Sequence, residues 1–275
     1  MLIQEKPFKH WLENFYGYGS WHAPIWFVGY EEPGGDLPED VADKINYFYN
    51  VHASPDGDTA LCDIRNLYSH VSYHSEGPRA ELFKTMYDYR FGQNAILNGV
   101  WKNLIAFRYG FQNQRLPDLL EYQKDSLATG KEALLNLLPL PSPHAHAWYY
   151  AWLDLPGVTF LKSRTQYEDH VYARRIRTIL EKIISHKPDV VLMYGMENIN
   201  RLKESVQEFF PNTKFKMVKG IKRQIPQHHR TQIDNTILVI TTQMPALKHN
   251  RIETGFDWEA LARTLKPDQP QETDE

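Results

Sequence analysis

Four short apolar runs punctuate the chain, separated by stretches with helical spacing. Ile25, Trp26, Phe27 and Val28 lead into Gly29 and the turn-rich YEEPGGD; Leu134, Leu135, Asn136, Leu137 and Leu138 lead into PLPSP. Val190, Val191, Leu192 and Met193 lead into Tyr194 and Gly195, and Ile237, Leu238, Val239 and Ile240 into TTQMP. Strands alternating with helices predict an α/β domain with a mainly parallel sheet flanked by helices. In such sheets ligands bind outside the carboxyl ends of the strands, so chemistry is expected at these four exits.

Ahead of the third run, TQYEDHVYARRIRTILEKIISHKPD has the spacing of an amphipathic helix, with Val171, Ile176, Ile179, Leu180, Ile183 and Ile184 on one face. Thr165 with Glu168 fits a capping box, and Pro188 after His186 and Lys187 ends the helix. A second helix is expected over 197–210 and a last one over 257–265. Phe215 and Met217 alternate with Lys214 and Lys216 as an edge strand does. Residues 60–131 are longer than a crossover needs and contain helix-like segments near 80–89 and 95–108, so they are expected to form a helical insertion. The domain is expected to run over 1–265, with Asn136 in the middle of its strand.

Composition narrows the class. Of 275 residues, 42% are hydrophobic and 24% charged, ordinary values for a chain that folds. The segment 266–275, KPDQPQETDE, carries no aliphatic or aromatic side chain and is expected to be a flexible tail. A single cysteine, Cys62, excludes an internal disulfide and a Cys-ligated cluster, and points to a reducing compartment. With charges where an apolar leader core would lie and no run long enough to span a bilayer, a cytoplasmic protein is expected, without a membrane partner.

A net charge of −3 does not attract nucleic acid over the whole surface, but residues 214–230, KFKMVKGIKRQIPQHHR, contain no acid. Lys219, Lys222, Arg223 and Arg230 in this run are either a solvated edge protected against pairing or a phosphate-binding surface. His144 and His146 have the spacing of two ligands on one strand face, but nothing in the spacing supplies a third, and no metal is expected.

The order of these parts resembles the uracil-DNA glycosylase superfamily. WFVGYEEPGG stands where its members have the first strand and turn, LLNLLPLP where they have an asparagine-bearing strand, and the segment 165–195 is similar to bacterial members. The resemblance covers about 24–36 and 130–265. It implies a three-layer α/β/α fold with a four-stranded parallel sheet, hydrolysis of the N-glycosidic bond of uracil or another damaged base in DNA, and no cofactor. The chain departs from the family where a His-Pro-Ser turn follows the last strand, because Met244-Pro245-Ala246 stands there.

Base removal requires a flipped nucleotide, a reader for its edge, a positioned water and support for the leaving anion. The resemblance places Glu32, with Glu31 beside it, as the catalytic carboxylates that orient water. It places Gly29, Tyr30, Pro33 and Gly34 around the substrate, Phe48 as a stacking ring, and Asn136 as the amide that reads the base. Gln243, Lys248 and His249, after the last strand, are candidates to support the leaving group. With the histidine replaced, a module on the same fold that binds nucleic acid or nucleotide without hydrolysing it stands as the alternative.

Overall fold

The structure, a computed structural model, describes residues 3–52, 61–74, 80–144, 146–221, 224–246 and 256–265. Lys222, Arg223, Lys248, His249 and the segment 266–275 lie outside the described residues. Helix α1 (Glu5–Asn14) precedes strands β1 (Gly17–Tyr18) and β2 (Ile25–Gly29), and α2 (Pro38–His52) follows. Helices α3 (Ile64–Ser69), α4 (Met86–Arg90), α5 (Gly99–Phe111) and α6 (Leu119–Asp125) lead to β3 (Glu132–Asn136). The long α7 (Arg164–His186), β4 (Val190–Tyr194), α8 (Ile199–Phe209), β5 (Lys216–Val218), β6 (His228–Ile233), β7 (Thr236–Ile240) and α9 (Trp258–Arg263) complete the order.

The sheet has seven strands in the order β1-β3-β2-β4-β7-β6-β5, which corrects the expected four. The four apolar runs do form adjacent parallel strands, β3, β2, β4 and β7, with Ile25 opposite both Glu132 and Val190. Antiparallel strands extend both edges: β1 beside β3, and the β6–β7 hairpin with β5 beyond it. The apolar pattern could not show these additions. β1 is two residues long, and β6 reads HHRTQI, whose polar side chains suit a sheet margin. Asp234, at positive φ, forms the turn from β6 to β7.

Alternate strand residues enter two apolar clusters. Ile25, Phe27, Leu134, Leu192 and Val239 pack with α1, α2, α3, α5 and α9, and Trp26, Val28, Leu135, Met193 and Ile240 with α7 and α8. Both faces of the sheet are therefore covered by helices, as the unbroken apolar runs require.

Local signals were displaced by a few residues. The α7 N-cap is Ser163, whose hydroxyl accepts from the Gln166 N–H; Thr165 and Glu168 do not form a capping box, and Glu168 pairs instead with Arg164. The segment near 80–89 is a 3-10 turn at Ala80–Leu82 followed by α4, and the segment near 95–108 becomes α5. Strand β3 starts two residues earlier than its apolar run, so Asn136 ends the strand instead of sitting mid-strand. No helix among the described residues is long and apolar enough to cross a membrane.

Candidate functional site

Two parallel strands deliver the site. β2 ends at Gly29 and β3 at Asn136, which are register partners. The pairing continues beyond the strands, because Leu137 N–H donates to the Gly29 carbonyl, Leu138 N–H to Tyr30 and Ser142 N–H to Glu32. The loop after β3 thereby holds the turn after β2 against it.

Beneath this turn lies a cavity of about 120 Å³. Glu31, Glu32, Pro33 and Asn136 line it from the two strand exits, and Tyr194 and Met244 from the exits of β4 and β7. The helical insertion closes it with Tyr68, Arg90 and Trp101. Apolar cavities of about 150 Å³ admit benzene, so the volume is on the scale of one six-membered ring. Larger grooves, such as that between α7 and α8 with Tyr172, Arg201 and Glu204, are open to solvent and gather no comparable set of polar and aromatic groups.

Three donors converge on Glu32, whose side chain is 11% exposed. Lys44 Nζ lies 2.9 Å and Tyr68 Oη 2.9 Å from Oε1, and Tyr18 Oη lies 3.1 Å from Oε2. An ionised carboxylate has about four acceptor sites, so one remains for a water or ligand. Burial holds both phenols above their ordinary range, so they act as neutral donors.

Glu31 is fixed differently, with Oε2 2.8 Å from Arg164 Nη2. Arg164 also holds Glu168 at 2.7 Å, and burial outweighs its attraction, pushing the Glu31 carboxyl up to about 7. A carboxyl raised on folding favours the folded state while protonated. Its contribution is complete below the ordinary value of 4.5 and is lost as pH rises through about 7. Urea unfolding at pH 4.5 and pH 8 should show wild type losing, relative to Glu31→Gln, on the order of 3 kcal/mol between the two conditions.

Asn136 is 9% exposed, and its backbone is bound on both sides: the N–H donates to Tyr16 and the carbonyl accepts from Arg175. Its side-chain amide makes no hydrogen bond among the described residues and is not fully buried, so its donor and acceptor are open to a ligand or water. Gly29 makes room for this arrangement. A Cβ there would lie 3.0 Å from Tyr194 Oη and 3.4 Å from Asn136 Oδ1. Gly29→Ala should therefore displace the Tyr194 ring and cost about 1–3 kcal/mol in urea unfolding, with a changed near-ultraviolet tyrosine signal.

Other predicted positions fall elsewhere. Phe48 is buried in the core, packed edge-on against Trp11 and Phe15, and offers no ring to the cavity. Tyr30 lies beside the Arg164 guanidinium, and Gly34, at φ +116°, faces open space. Gln243 donates to Thr242 Oγ1 and does not line the cavity. Met244 does line it, with its thioether packed over Gly195, and the loop is pinned by Asn103 Nδ2 donating to the Pro245 carbonyl. The His144 and His146 rings lie 6.4 Å apart, and the described residues contain no group of three or more His, Cys, Asp or Glu that could hold a metal.

The aromatic walls Tyr18, Tyr68, Trp101 and Tyr194 and the cation Arg90 were missed in the sequence. In the structure Asn98 caps α5, whose first turn carries Trp101. Because β5 runs antiparallel to β6 and β6 to β7, β5 runs parallel to the central strands. The exposed Lys219, just after β5, is thus at the same end of the sheet as the cavity, whereas Arg230 lies within β6 and donates to the Thr264 carbonyl. No protein-family model, curated protein or solved structure matches the chain.

Proposed function

We propose that the chain hydrolyses the N-glycosidic bond of uracil or another damaged base in DNA, receiving the flipped base in the cavity at the exits of β2 and β3. One observation carries this reading: a triply held carboxylate, Glu32, and an unpaired amide, Asn136, line the same ring-sized, aromatic-walled space. Covering of both sheet faces by helices also fits the three-layer order that the resemblance implies.

In this reading the base enters among Tyr68, Trp101 and Tyr194, and the Asn136 amide pairs with a ring carbonyl and its neighbouring N–H. Glu32 holds a water through its remaining acceptor site. The water oxygen bonds to C1′ as the C1′–N bond breaks, the electron pair leaves with the base, and the water's proton passes to Glu32. That proton then returns to the base through solvent, so the products are an abasic sugar and the neutral base. Lys219, with Lys222 and Arg223 in the same basic run, is suited to contact DNA phosphates at this end of the sheet.

The test is incubation of the full chain with single-stranded and mismatched oligonucleotides containing uracil, followed by alkaline cleavage at abasic sites. Cleavage above a buffer control is the expected result, and none across all substrates overturns the reading.

Met244 favours a second reading. Its thioether occupies the place where the resemblance expects an imidazole and supplies no strong donor to a leaving anion. A binding module would retain salt-dependent affinity for oligonucleotides, reduced when Lys222 and Arg223 are neutralised, with no base release. Binding insensitive to salt would count against it.

A further inference from the structure

A departing base carries negative charge, and among the described residues the four strand exits do not supply a free cation to meet it. Lys44 is spent on Glu32, Arg164 on Glu31 and Glu168, and Met244 has no N–H or O–H to offer. Arg90, the last residue of α4, is different. It lines the same cavity as Glu32 and Asn136, and among the described residues no carboxylate lies within ion-pair distance of it.

Its position is set by stacking instead of charge pairing. The guanidinium carbon lies 4.1 Å from the Tyr89 ring centroid and 5.8 Å from that of Trp101, and Nη1 donates to the Ile96 carbonyl at 3.2 Å. Trp101 is itself stacked on Phe91, with centroids 5.7 Å apart, which fixes the wall that Arg90 leans on. A guanidinium has five N–H donors, so most remain free after the Ile96 bond. Its one acidic neighbour on α4, Asp88, is occupied by the backbone N–H groups of Lys84 and Thr85.

We propose that Arg90 is the cation that binds the base as an anion in this cavity, the role the resemblance would assign to the loop now carrying Met244. This rests on the cavity being a base site, as proposed above, but not on the chain being a hydrolase. The ligand class is a planar heterocycle with an acidic ring N–H and flanking carbonyls: the carbonyl and N–H meet the Asn136 amide, and the deprotonated nitrogen or carbonyl meets Arg90. A positioned cation in a water-poor site stabilises such charge far more than the same group does in bulk water.

The test is calorimetric titration of the intact chain with free 5-fluorouracil, whose fluorine makes the ring N–H more acidic, below and above the pH at which the base ionises. A second titration uses uracil at the same two pH values, where without the fluorine the ring stays largely neutral and keeps the N–H that meets Asn136. The other titratable groups lining the cavity are Glu31, Glu32, Tyr18, Tyr68 and Tyr194, with Lys44 paired to Glu32. Burial keeps the three phenols protonated, and a Glu31 carboxyl ionising near neutral pH opposes anion binding, so tightening at higher pH requires a cation.

Wild type is expected to bind the anion at least about tenfold more tightly than the neutral base, and Arg90→Lys to keep part of that gain. Arg90→Gln should bind both forms equally while still binding uracil as wild type does. Should Arg90→Gln not fold, Arg90→Met, which keeps an apolar stem against Trp101, takes its place. No tightening in wild type, or the same tightening without Arg90, overturns the proposal. Wild type that prefers the anion through Arg90 yet releases no base from DNA leaves the proposal standing and removes only the hydrolase reading.

Discussion

Glu32→Gln is expected to lower base release from uracil-containing DNA by roughly 10²- to 10⁴-fold, the range removed with a positioned general base. The amide matches the carboxylate in size and still accepts from Tyr68 or Lys44, but it cannot take a proton from water. The change also leaves Lys44 without its counter-charge at a side chain only 9% exposed. Breaking one partner of a buried pair costs about 3–5 kcal/mol, so urea unfolding must accompany the kinetics. Adding Lys44→Met removes the stranded charge and should restore much of the stability without restoring the rate. A folded Glu32→Gln protein that releases base as fast as wild type would sink the assignment of Glu32.

Arg175→Met is expected to destabilise the fold by about 3–5 kcal/mol, the largest effect on stability outside the site. Arg175 lies in α7, is 1% exposed, and its guanidinium donates to the carbonyls of Leu137 at 2.5 Å, Asn136 at 2.8 Å and Leu12 at 3.3 Å. It also lies 4.1 Å over the Tyr16 ring. Replacing a buried ion pair with apolar groups is often tolerated because both charges go. Here the acceptors are backbone carbonyls, which remain after the substitution and lose their donors. The same change frees the exit of β3, so base affinity should fall with stability. Unchanged urea midpoints would show that water replaces the guanidinium there.

The parallel centre of the sheet was legible because strands covered on both faces are apolar at nearly every position. Ile25 to Val28 and Val190 to Met193 needed only their length and the glycine after them. The edges were not legible, since β1 contributes two residues and β6 mixes histidine, arginine and glutamine among partly exposed positions. Within the site, Glu32 was marked through the resemblance, and Asn136 through the resemblance together with the need of an amide in an apolar run for hydrogen-bond partners. Phe48 was misplaced, since a position in the chain taken from the resemblance does not say which surface the ring faces, and the ring packs into the core.

What the order of residues determined by itself was the set of central strands, the turns that end them, and the polar groups carried at two exits, all properties of local chain chemistry. Only the tertiary structure decided that Asn136 closes its strand with an unpaired amide, that Lys44, Tyr18 and Tyr68 meet on Glu32, and that the insertion brings Arg90 and Trp101 over the same space. The hydrogen bonds on Glu32 join residues 12, 14 and 36 positions apart, and the cavity gathers residues from Tyr18 to Met244. No periodicity along the chain encodes such distances, because packing of helices against the finished sheet sets them.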